Sequence, residues 1–284
     1  MWQALEGDAS YFGGGGRQGL GRFIVPISRL EELEVSGSDL MPRGKSSNPW
    51  RLSVLVAEDA GAAGEEMLNF NRRHSAPKHG HAVIDVAELK ASTADEIAHQ
   101  RRDLSPALVS YFEIPLTQDV SPLVKTIART GSRAKIRTGG VTPEAFPAAV
   151  RIIDFMAACR QESVPFKATA GLHHPIRGEY HLTYEPQSPT GLMYGFLNVF
   201  LAAALLYAGE SEETALDTPE ETQASAVKFA DDANTWRDKR VGVDQLFAPR
   251  PWLSLWFGSC SFPRPRDDLP APPSDATAAS HGME

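Results

Sequence analysis

The chain has 284 residues, of which 42% are hydrophobic, 23% are charged and 8% are aromatic. This balance is typical of globular proteins and excludes a wholly disordered or collagen-like chain. The length allows one large barrel or two domains of average size. A formal net charge of -8 argues against a nucleic-acid-binding protein, because such proteins present a basic surface to phosphate groups. The two cysteines, Cys159 and Cys260, are too few for a disulfide scaffold and favour a cytoplasmic protein.

The two ends of the sequence differ in composition from its centre. Residues 1–21 are rich in glycine and lack the pattern of a signal peptide, so a flexible lead-in is predicted. Residues 263–284 are rich in Pro, Ala, Ser and Asp, which predicts a disordered tail. The most apolar segment, 193–208, contains Asn198 and is shorter than the roughly 20 residues that a membrane span needs. It predicts a buried helix and a protein without a membrane partner.

Short segments rich in β-branched and aromatic residues alternate with segments of helical pattern between residues 22 and 170. Six strands are predicted, at 22–27, 50–57, 82–89, 108–116, 133–138 and 165–170. Five helices are predicted between them, at 28–35, 60–73, 93–102, 119–130 and 143–161. Such alternation is typical of βα units that build a parallel sheet.

Six successive βα units are more than half of a (β/α)8 barrel. The rest of the chain offers a short strand before or at the start of a helix at 195–208, and a last strand at 252–257. We therefore predict an α/β protein with a single (β/α)8 TIM-type barrel, regular or irregular, over residues 22–262. An open doubly wound sheet is the alternative. No G-x-G-x-x-G motif follows a strand, so the usual dinucleotide-binding fingerprint is absent.

The helix predicted at 143–161 has the clearest sequence pattern. Thr142 is a suitable capping residue, and Pro143 suits the first turn. Four apolar residues recur at the spacing of one helix face, namely Ile152, Phe155, Met156 and Cys159. Cys159 is therefore predicted to be a core residue.

Charged residues occupy alternate positions near the ends of the predicted strands. Because successive side chains point to opposite faces of a strand, these residues share the face that points into the barrel. They are Glu88, Lys90, Glu113, Lys135, Arg137 and Lys167, joined by the polar Thr169. Active sites of barrels and open α/β sheets lie at the carboxyl ends of the strands, where these residues fall.

Two carboxylates against four cations predict a pocket for a small anionic metabolite. The amides of Gly139 and Gly140 are candidates to bind the same anion, because glycine permits close approach of the backbone. The predicted substrate-binding residues are Arg137, Gly139, Gly140, Glu88, Lys90, Thr169, His174, Arg177 and Ser259. A second interpretation is a structural ion-pair network that fills the barrel, since buried charges need partners.

A lysine inside a barrel also has a chemical use. Desolvation and a neighbouring cation lower the pKa of its amine and free it for attack on a carbonyl group. Lys167 fits this pattern, with Lys135 on the adjacent strand. Glu113 and Lys135 are candidates to transfer protons, and His173 in the loop after the sixth strand is another.

The stretch from Ala134 to Gly171 resembles the deoxyribose-phosphate aldolase family. That family has a strand with Lys-x-x-x-x-Thr-Gly, then a helix, then a strand with Phe-x-Lys-x-Ser-Thr-Gly. This chain has KIRTGG at 135–140 and FKATAG at 166–171. The resemblance implies a class I aldolase whose Schiff base forms on Lys167, with Glu113 as the counterpart of an aspartate. The combination of AKIRTGG, FKATAGLHHP, GFLN and GSCSF also resembles an uncharacterised bacterial barrel family.

The leading hypothesis is a Schiff-base lyase or aldolase that acts on a small phosphorylated or carboxylated carbonyl compound and needs no cofactor. The second is a metal-assisted isomerase or lyase, in which Glu88, Glu113 and His173 or His174 hold a divalent ion. The third is a non-catalytic barrel that binds an anionic metabolite or a protein partner, for which the acidic segment 210–221 is a candidate. Homo-oligomerisation stays open.

Overall fold

The computed structural model describes residues 21–44, 48–57, 59–183, 185, 187–230, 232–242, 244 and 257–258. The tail predicted at 263–284 lies outside the described residues, as does nearly all of the lead-in predicted at 1–21. Ser259 and most of the strand predicted at 252–257 also lie outside them.

Six parallel strands lie side by side in chain order in one sheet. They are β1 (Phe23–Pro26), β2 (Trp50–Leu55), β3 (Ala82–Lys90), β4 (Val109–Glu113), β5 (Arg133–Arg137) and β6 (Phe166–Thr169). Each strand lies within its predicted segment or ends one residue beyond it, so these predictions are confirmed.

Five helices alternate with the strands and pack against one face of the sheet. They are α1 (Leu30–Gly37), α2 (Ala60–His74), α3 (Ala94–Asp103), α4 (Ser121–Arg129) and α5 (Ala149–Gln161). That face of the strands joins the helices in one buried hydrophobic core, which includes Leu52, Val54, Ile84, Leu89, Phe112, Ile136 and Phe166. The α/β class is therefore confirmed, and the core determines which face of each strand is left for polar residues.

The predicted start of α5 is wrong. Pro143–Ala145 forms a separate 3-10 turn, and the α-helix begins at Ala149. Pro147 separates the two, because a residue before proline is pushed into extended backbone, as Phe146 is with φ -92° and ψ 112°. The predicted apolar face is confirmed by four fully buried side chains, those of Ile152, Phe155, Met156 and Cys159.

The chain after β6 leaves the parallel pattern. There β7 (Gly178–His181) and β8 (Thr190–Met193) form an antiparallel hairpin that is separate from the main sheet. The short strand predicted before the helix at 195–208 is present as β8, but its predicted place in the barrel is wrong, because it pairs with β7 in the separate sheet. The predicted buried helix is confirmed as α6 (Phe196–Ala208). Among the described residues, no helix is both long enough and apolar enough to cross a membrane.

The acidic segment after α6 forms α7 (Glu212–Glu220), and three antiparallel strands follow, namely β9 (Val227–Phe229), β10 (Ala233–Trp236) and β11 (Lys239–Gly242). A two-residue strand, β12 (Phe257–Gly258), pairs with β6 as a seventh parallel strand. Within the described part of the chain the main sheet is a curled half-barrel with β1 and β12 at its edges. The predicted closed barrel of eight strands is not present there, because the chain between β6 and β12 forms antiparallel sheets instead.

Candidate active site

The polar residues of the sheet lie on the face away from the helices. The pairing of β2 with β3 skips Asp85, which forms a β-bulge. The bulge turns Asp85 to the same face as Glu88, and there its carboxylate accepts hydrogen bonds from Arg22 and Arg51. This ion-paired group lies toward the amino ends of the strands and borders the site described next.

Four charged side chains from four consecutive strands meet on this face. Glu88 on β3, Glu113 on β4, Lys135 on β5 and Lys167 on β6 form the buried charge cluster. The Nζ atom of Lys135 lies 2.8 Å from Oε2 of Glu88 and 2.8 Å from Oε2 of Glu113. The Nζ atom of Lys167 donates a hydrogen bond to Oε1 of Glu88. Two lysines therefore share the carboxylate of Glu88, and the cluster as a whole is neutral.

The two oxygen atoms of the Glu88 carboxylate face different lysines, since Oε2 contacts Lys135 and Oε1 accepts the hydrogen bond from Lys167. Strand register explains the meeting, because Glu113 pairs with Lys135 and Lys135 pairs with Lys167 across neighbouring strands. Parallel strands lie about 4.8 Å apart, so side chains at the same level reach each other directly.

Burial makes the charges of the cluster interact strongly. The side chain of Glu88 is 1% exposed and that of Lys135 is 7% exposed. Desolvation acts to raise the pKa of Glu88, but attraction to Lys167 and Lys135 outweighs it and holds that pKa below its ordinary value. Desolvation acts to lower the pKa of Lys135, but the carboxylates of Glu88 and Glu113 raise it above its ordinary value. Glu88 is therefore ionised and Lys135 protonated at neutral pH.

Lys167 responds differently to the same surroundings. Desolvation lowers its pKa, attraction to Glu88 opposes this effect, and repulsion from Lys135 and Arg22 reinforces it, so that the pKa falls to about 8. Lys135 has two carboxylate neighbours within 2.8 Å, whereas Lys167 has one bonded carboxylate. The number of carboxylate partners therefore separates the two lysines.

Two further residues contact the buried charge cluster, and sequence analysis assigns no role to either. The hydroxyl of Ser53 donates a hydrogen bond of 2.5 Å to Oε1 of Glu88. The ring centroid of Tyr111 lies 4.3 Å from Nζ of Lys167. Both residues occupy the alternating polar positions of their strands, so the rule that selected Glu88 also points to them.

Lys90 and Arg137 share the face of the cluster but lie at its rim. The side chain of Lys90 is 81% exposed, with Nζ 4.0 Å from Oε1 of Glu113, and Arg137 is also exposed. The expectation that both side chains point into a barrel interior is wrong, because β3 ends at Lys90 and β5 ends at Arg137. The surplus of cations predicted for the interior is therefore found at the rim.

A cleft of about 440 Å³ opens at this rim, between the ends of β3 to β5 and the segment at 143–147. Lys90, Arg137, Glu113 and Glu144 are among its polar lining residues, and we call it the rim cleft. Glu113 lines the rim cleft and also contacts Lys135, so it connects the cleft with the buried charge cluster.

The histidines predicted as site residues lie in the loop after β6. The ring of His174 stacks on that of Tyr180, with centroids 3.5 Å apart and planes inclined by 10°. His173 is half-buried in the same loop. The stacking gives His174 a packing role, and proton transfer by His173 stays a prediction.

Arg177 and Thr169, both predicted to bind substrate, have structural contacts. The guanidinium carbon of Arg177 lies 5.5 Å from the ring centroid of Tyr194. The hydroxyl of Thr169 donates a hydrogen bond of 3.2 Å to the carbonyl oxygen of Ile136. These contacts hold the loop after β6 and the end of β5, and substrate binding by either residue stays a prediction.

The glycines after β5 have a packing role. A Cβ atom on Gly139 would lie 2.4 Å from Cε1 of Phe146, and one on Gly140 would lie 2.7 Å from Cβ of Ala145. Glycine at both positions lets the segment at 143–147 fold back over the end of β5 and form a wall of the rim cleft. Anion binding by the glycine amides stays a prediction.

Replacement of Gly139 by alanine is expected to lower the free energy of unfolding by about 1–3 kcal/mol, because the added methyl group overlaps the ring of Phe146. Urea unfolding of both proteins measures the change. Gly64→Ala in α2 is the matched control, since the new Cβ would meet no atom closer than 3.5 Å. Equal stability of the Gly139→Ala variant and the original protein would contradict the packing role.

Among the described residues, no group of three or more His, Cys, Asp or Glu side chains is placed to hold a metal ion. Glu88 and Glu113, the carboxylates of the metal hypothesis, both contact Lys135. The metal-assisted alternative stays a prediction.

No protein-family model, curated protein or solved structure matches the chain. Inference about function therefore depends on the geometry of the site itself.

Proposed function

We propose that this protein is a Schiff-base lyase with aldolase-like chemistry, acting on a small carbonyl compound that carries a phosphate or carboxylate group. Lys167 is the nucleophile. The observation that supports the proposal is that two buried lysines on adjacent strands share one carboxylate, that of Glu88. Because this carboxylate is divided between two ammonium groups, the lysine with fewer carboxylate partners is the one that loses its proton first.

A pKa of about 8 makes Lys167 a usable amine near neutral pH. At about pH 7.5 this pKa leaves roughly a quarter of the side chains neutral, against roughly 0.1% for a lysine with the ordinary pKa. The supply of reactive amine is therefore more than a hundredfold larger than on the protein surface. Only the neutral amine attacks a carbonyl carbon, so this difference favours Lys167 over exposed lysines.

In the proposed reaction the Lys167 amine adds to the carbonyl carbon, and the carbinolamine then loses water to give an iminium ion. A base removes the proton of the substrate hydroxyl, the adjacent carbon–carbon bond breaks, and its electron pair moves into the iminium to give an enamine. The departing fragment leaves as an aldehyde. Protonation of the enamine carbon and hydrolysis of the iminium restore the free lysine.

The cluster and the rim cleft supply the groups that this scheme needs. Glu88 stays ionised and holds the Lys167 nitrogen through the hydrogen bond to Oε1, while the proton that Lys167 releases passes to solvent, because the pKa of Glu88 is held below its ordinary value. Glu113 acts as the base toward the substrate hydroxyl, since it lines the rim cleft and contacts Lys135. Lys90 and Arg137 bind the anionic group of the substrate, because both are exposed cations on the same cleft.

We also infer that the half-barrel is related to the (β/α)8 barrel, with antiparallel sheets between β6 and β12 in place of further βα units. Six parallel strands in chain order, with five helices between them, support this inference, and barrels of this kind have their sites at the carboxyl ends of the strands. The cytoplasmic location inferred from the two cysteines stays a prediction.

Borohydride trapping tests the proposed function. The protein is incubated with glyoxylate, pyruvate and glyceraldehyde phosphate in turn, reduced with borohydride, and digested for mass spectrometry. We expect at least one carbonyl compound to leave a reduced adduct on Lys167, and we expect Lys167→Met to abolish it. Lys125→Met, which changes an exposed lysine on α4, is the matched control and should keep the adduct.

Adducts spread over the surface lysines, with no preference for Lys167, would contradict the nucleophile assignment. Unfolding curves of the Lys167→Met variant accompany the trapping, so that loss of the adduct is not confused with loss of fold. The test is best run near pH 8, where half of the Lys167 side chains are neutral.

A non-catalytic anion-binding protein is the second candidate, and the neutrality of the buried charge cluster favours it. In this case phosphate or a small carboxylate binds at the rim cleft, and Arg137→Gln weakens that binding. Calorimetric titration with inorganic phosphate and with pyruvate measures the effect. Binding without any adduct on Lys167 would support this candidate over the lyase.

A further inference from the structure

We propose that the aromatic ring of Tyr111 is a platform that stabilises the positively charged forms of the Lys167 nitrogen. These forms are the ammonium of the free protein and, where the proposed function holds, the iminium of the covalent intermediate. The second half of the proposal rests on the proposed function, whereas the first half is independent of it.

The geometry of Tyr111 suits this role. Its ring centroid lies 4.3 Å from Nζ of Lys167, within the distance of about 6 Å at which a cation is attracted to the face of an aromatic ring. Tyr111 is only 3% exposed, so the attraction acts away from bulk water, where it is strongest. The Tyr111 hydroxyl accepts a hydrogen bond of 3.2 Å from Arg133, which holds the ring in place.

The charged groups around Lys167 come from several elements. Glu88 on β3 attracts its ammonium, while Lys135 on β5 and Arg22 before β1 repel it. Glu88 divides its two oxygen atoms between Lys167 and Lys135, so its attraction is not reserved for Lys167. The ring of Tyr111 on β4 is an additional source of stabilisation for this cation. The guanidinium carbon of Arg133 on β5 lies 5.6 Å from the same centroid, farther away than the Lys167 nitrogen at 4.3 Å.

Formation of an iminium makes the ring more important. An ammonium group has three N–H donors, whereas a protonated imine of lysine has one, because two bonds of the nitrogen are replaced by a double bond to carbon. The hydrogen bond to Glu88 depends on where that one N–H points. Attraction to the face of a ring depends on positive charge and needs no N–H, so it continues after the substrate has become attached.

A series of fluorinated phenylalanines at position 111 tests the platform without changing its shape. Phenylalanine and its mono-, di- and trifluoro forms are incorporated by stop-codon suppression, since each fluorine weakens the negative charge of the ring face. Mass spectrometry follows acetylation of Lys167 as a function of pH, with Lys125 as the exposed internal reference. Thermal unfolding checks that every member of the series is folded.

We expect the midpoint for Lys167 acetylation to stay within a few tenths of a pH unit in Tyr111→Phe. It should then fall stepwise with each fluorine, by about one pH unit over the series, while the midpoint for Lys125 stays fixed. A midpoint that is the same in all ring variants would overturn the platform and leave Tyr111 as a packing residue.

The iminium half is measured separately, by the fraction of Lys167 trapped at equilibrium with the carbonyl compound that gives the strongest adduct. An imine carries positive charge only while it is protonated, so the trapping is run at about pH 7, and the fraction of neutral Lys167 amine, taken from the acetylation midpoint of the same variant, is divided out. The corrected fraction should decrease by about tenfold across the series. An unchanged fraction would overturn the iminium half. Absence of any adduct in the original protein, together with a falling acetylation midpoint, would refute the proposed function and support the ammonium half.

Discussion

Replacement of Glu88 by glutamine is expected to lower the free energy of unfolding by about 3–5 kcal/mol. The substitution preserves the shape of the side chain but removes the carboxylate that Lys167 and Lys135 share. The cluster then carries a net positive charge at a position where the Glu88 side chain is 1% exposed. An uncompensated buried charge is among the largest single-residue effects on stability, because water no longer solvates it.

Two further variants test whether the loss of stability comes from the unbalanced charge. Glu113→Gln should cause a smaller loss, about 2 kcal/mol, because Glu113 is more exposed than Glu88 and Lys135 keeps its ion pair with Glu88. Combining Glu88→Gln with Lys167→Met removes one cation together with one anion and restores a neutral cluster. The double variant should therefore be more stable than Glu88→Gln alone.

Urea unfolding of the two single variants and the double variant, with equal slopes confirmed, gives the required free energies. If the losses of the Glu88→Gln and Lys167→Met variants simply added in the double variant, the ion-paired description of the cluster would be wrong. Residues that share a charge network instead show a coupling of about 0.5–3 kcal/mol.

Much of this cluster is predictable from the sequence because two simple rules locate it. Alternation along a strand places Glu88, Glu113, Lys135 and Lys167 on the face opposite the hydrophobic core. Parallel strands in chain order place those four residues on neighbouring strands. Neither rule depends on closure of the barrel, so both hold for the half-barrel that the described residues form.

The features that the sequence does not reveal depend on local geometry or on distant contacts. The bulge at Asp85 changes which residues of β3 share a face, and no glycine marks it. Lys90 and Arg137 follow the alternation rule but end their strands, so the same pattern leaves them exposed. The ring partner of His174, Tyr180, comes from the hairpin that sequence analysis does not predict.

Because the pKa of Lys167 is lowered, the free energy of unfolding should change with pH in the alkaline range. Below about pH 8 the side chain is protonated in both the folded and the unfolded chain, and the folded state bears the full cost of its burial. The fall of the pKa from 10.5 to about 8 corresponds to about 3 kcal/mol. Between these two values the unfolded chain binds more protons than the folded chain, so this contribution to stability rises with pH. Above 10.5 both states are neutral and the cost is gone.

Lys135 acts in the opposite direction, because its pKa is raised in the folded protein. The stability that it supplies is fully present below the ordinary pKa of 10.5 and is lost as the pH rises through the pKa of the folded protein. Comparison with Lys167→Met separates the two lysines. The free energy of unfolding of the original protein minus that of the variant should rise by about 2 kcal/mol between about pH 7.5 and about pH 10. The Lys125→Met control should give a constant difference over the same range. A difference that is flat or falls for Lys167→Met would mean that Lys167 keeps its proton in the folded protein, and the amine on which the proposed reaction depends would then be absent at neutral pH.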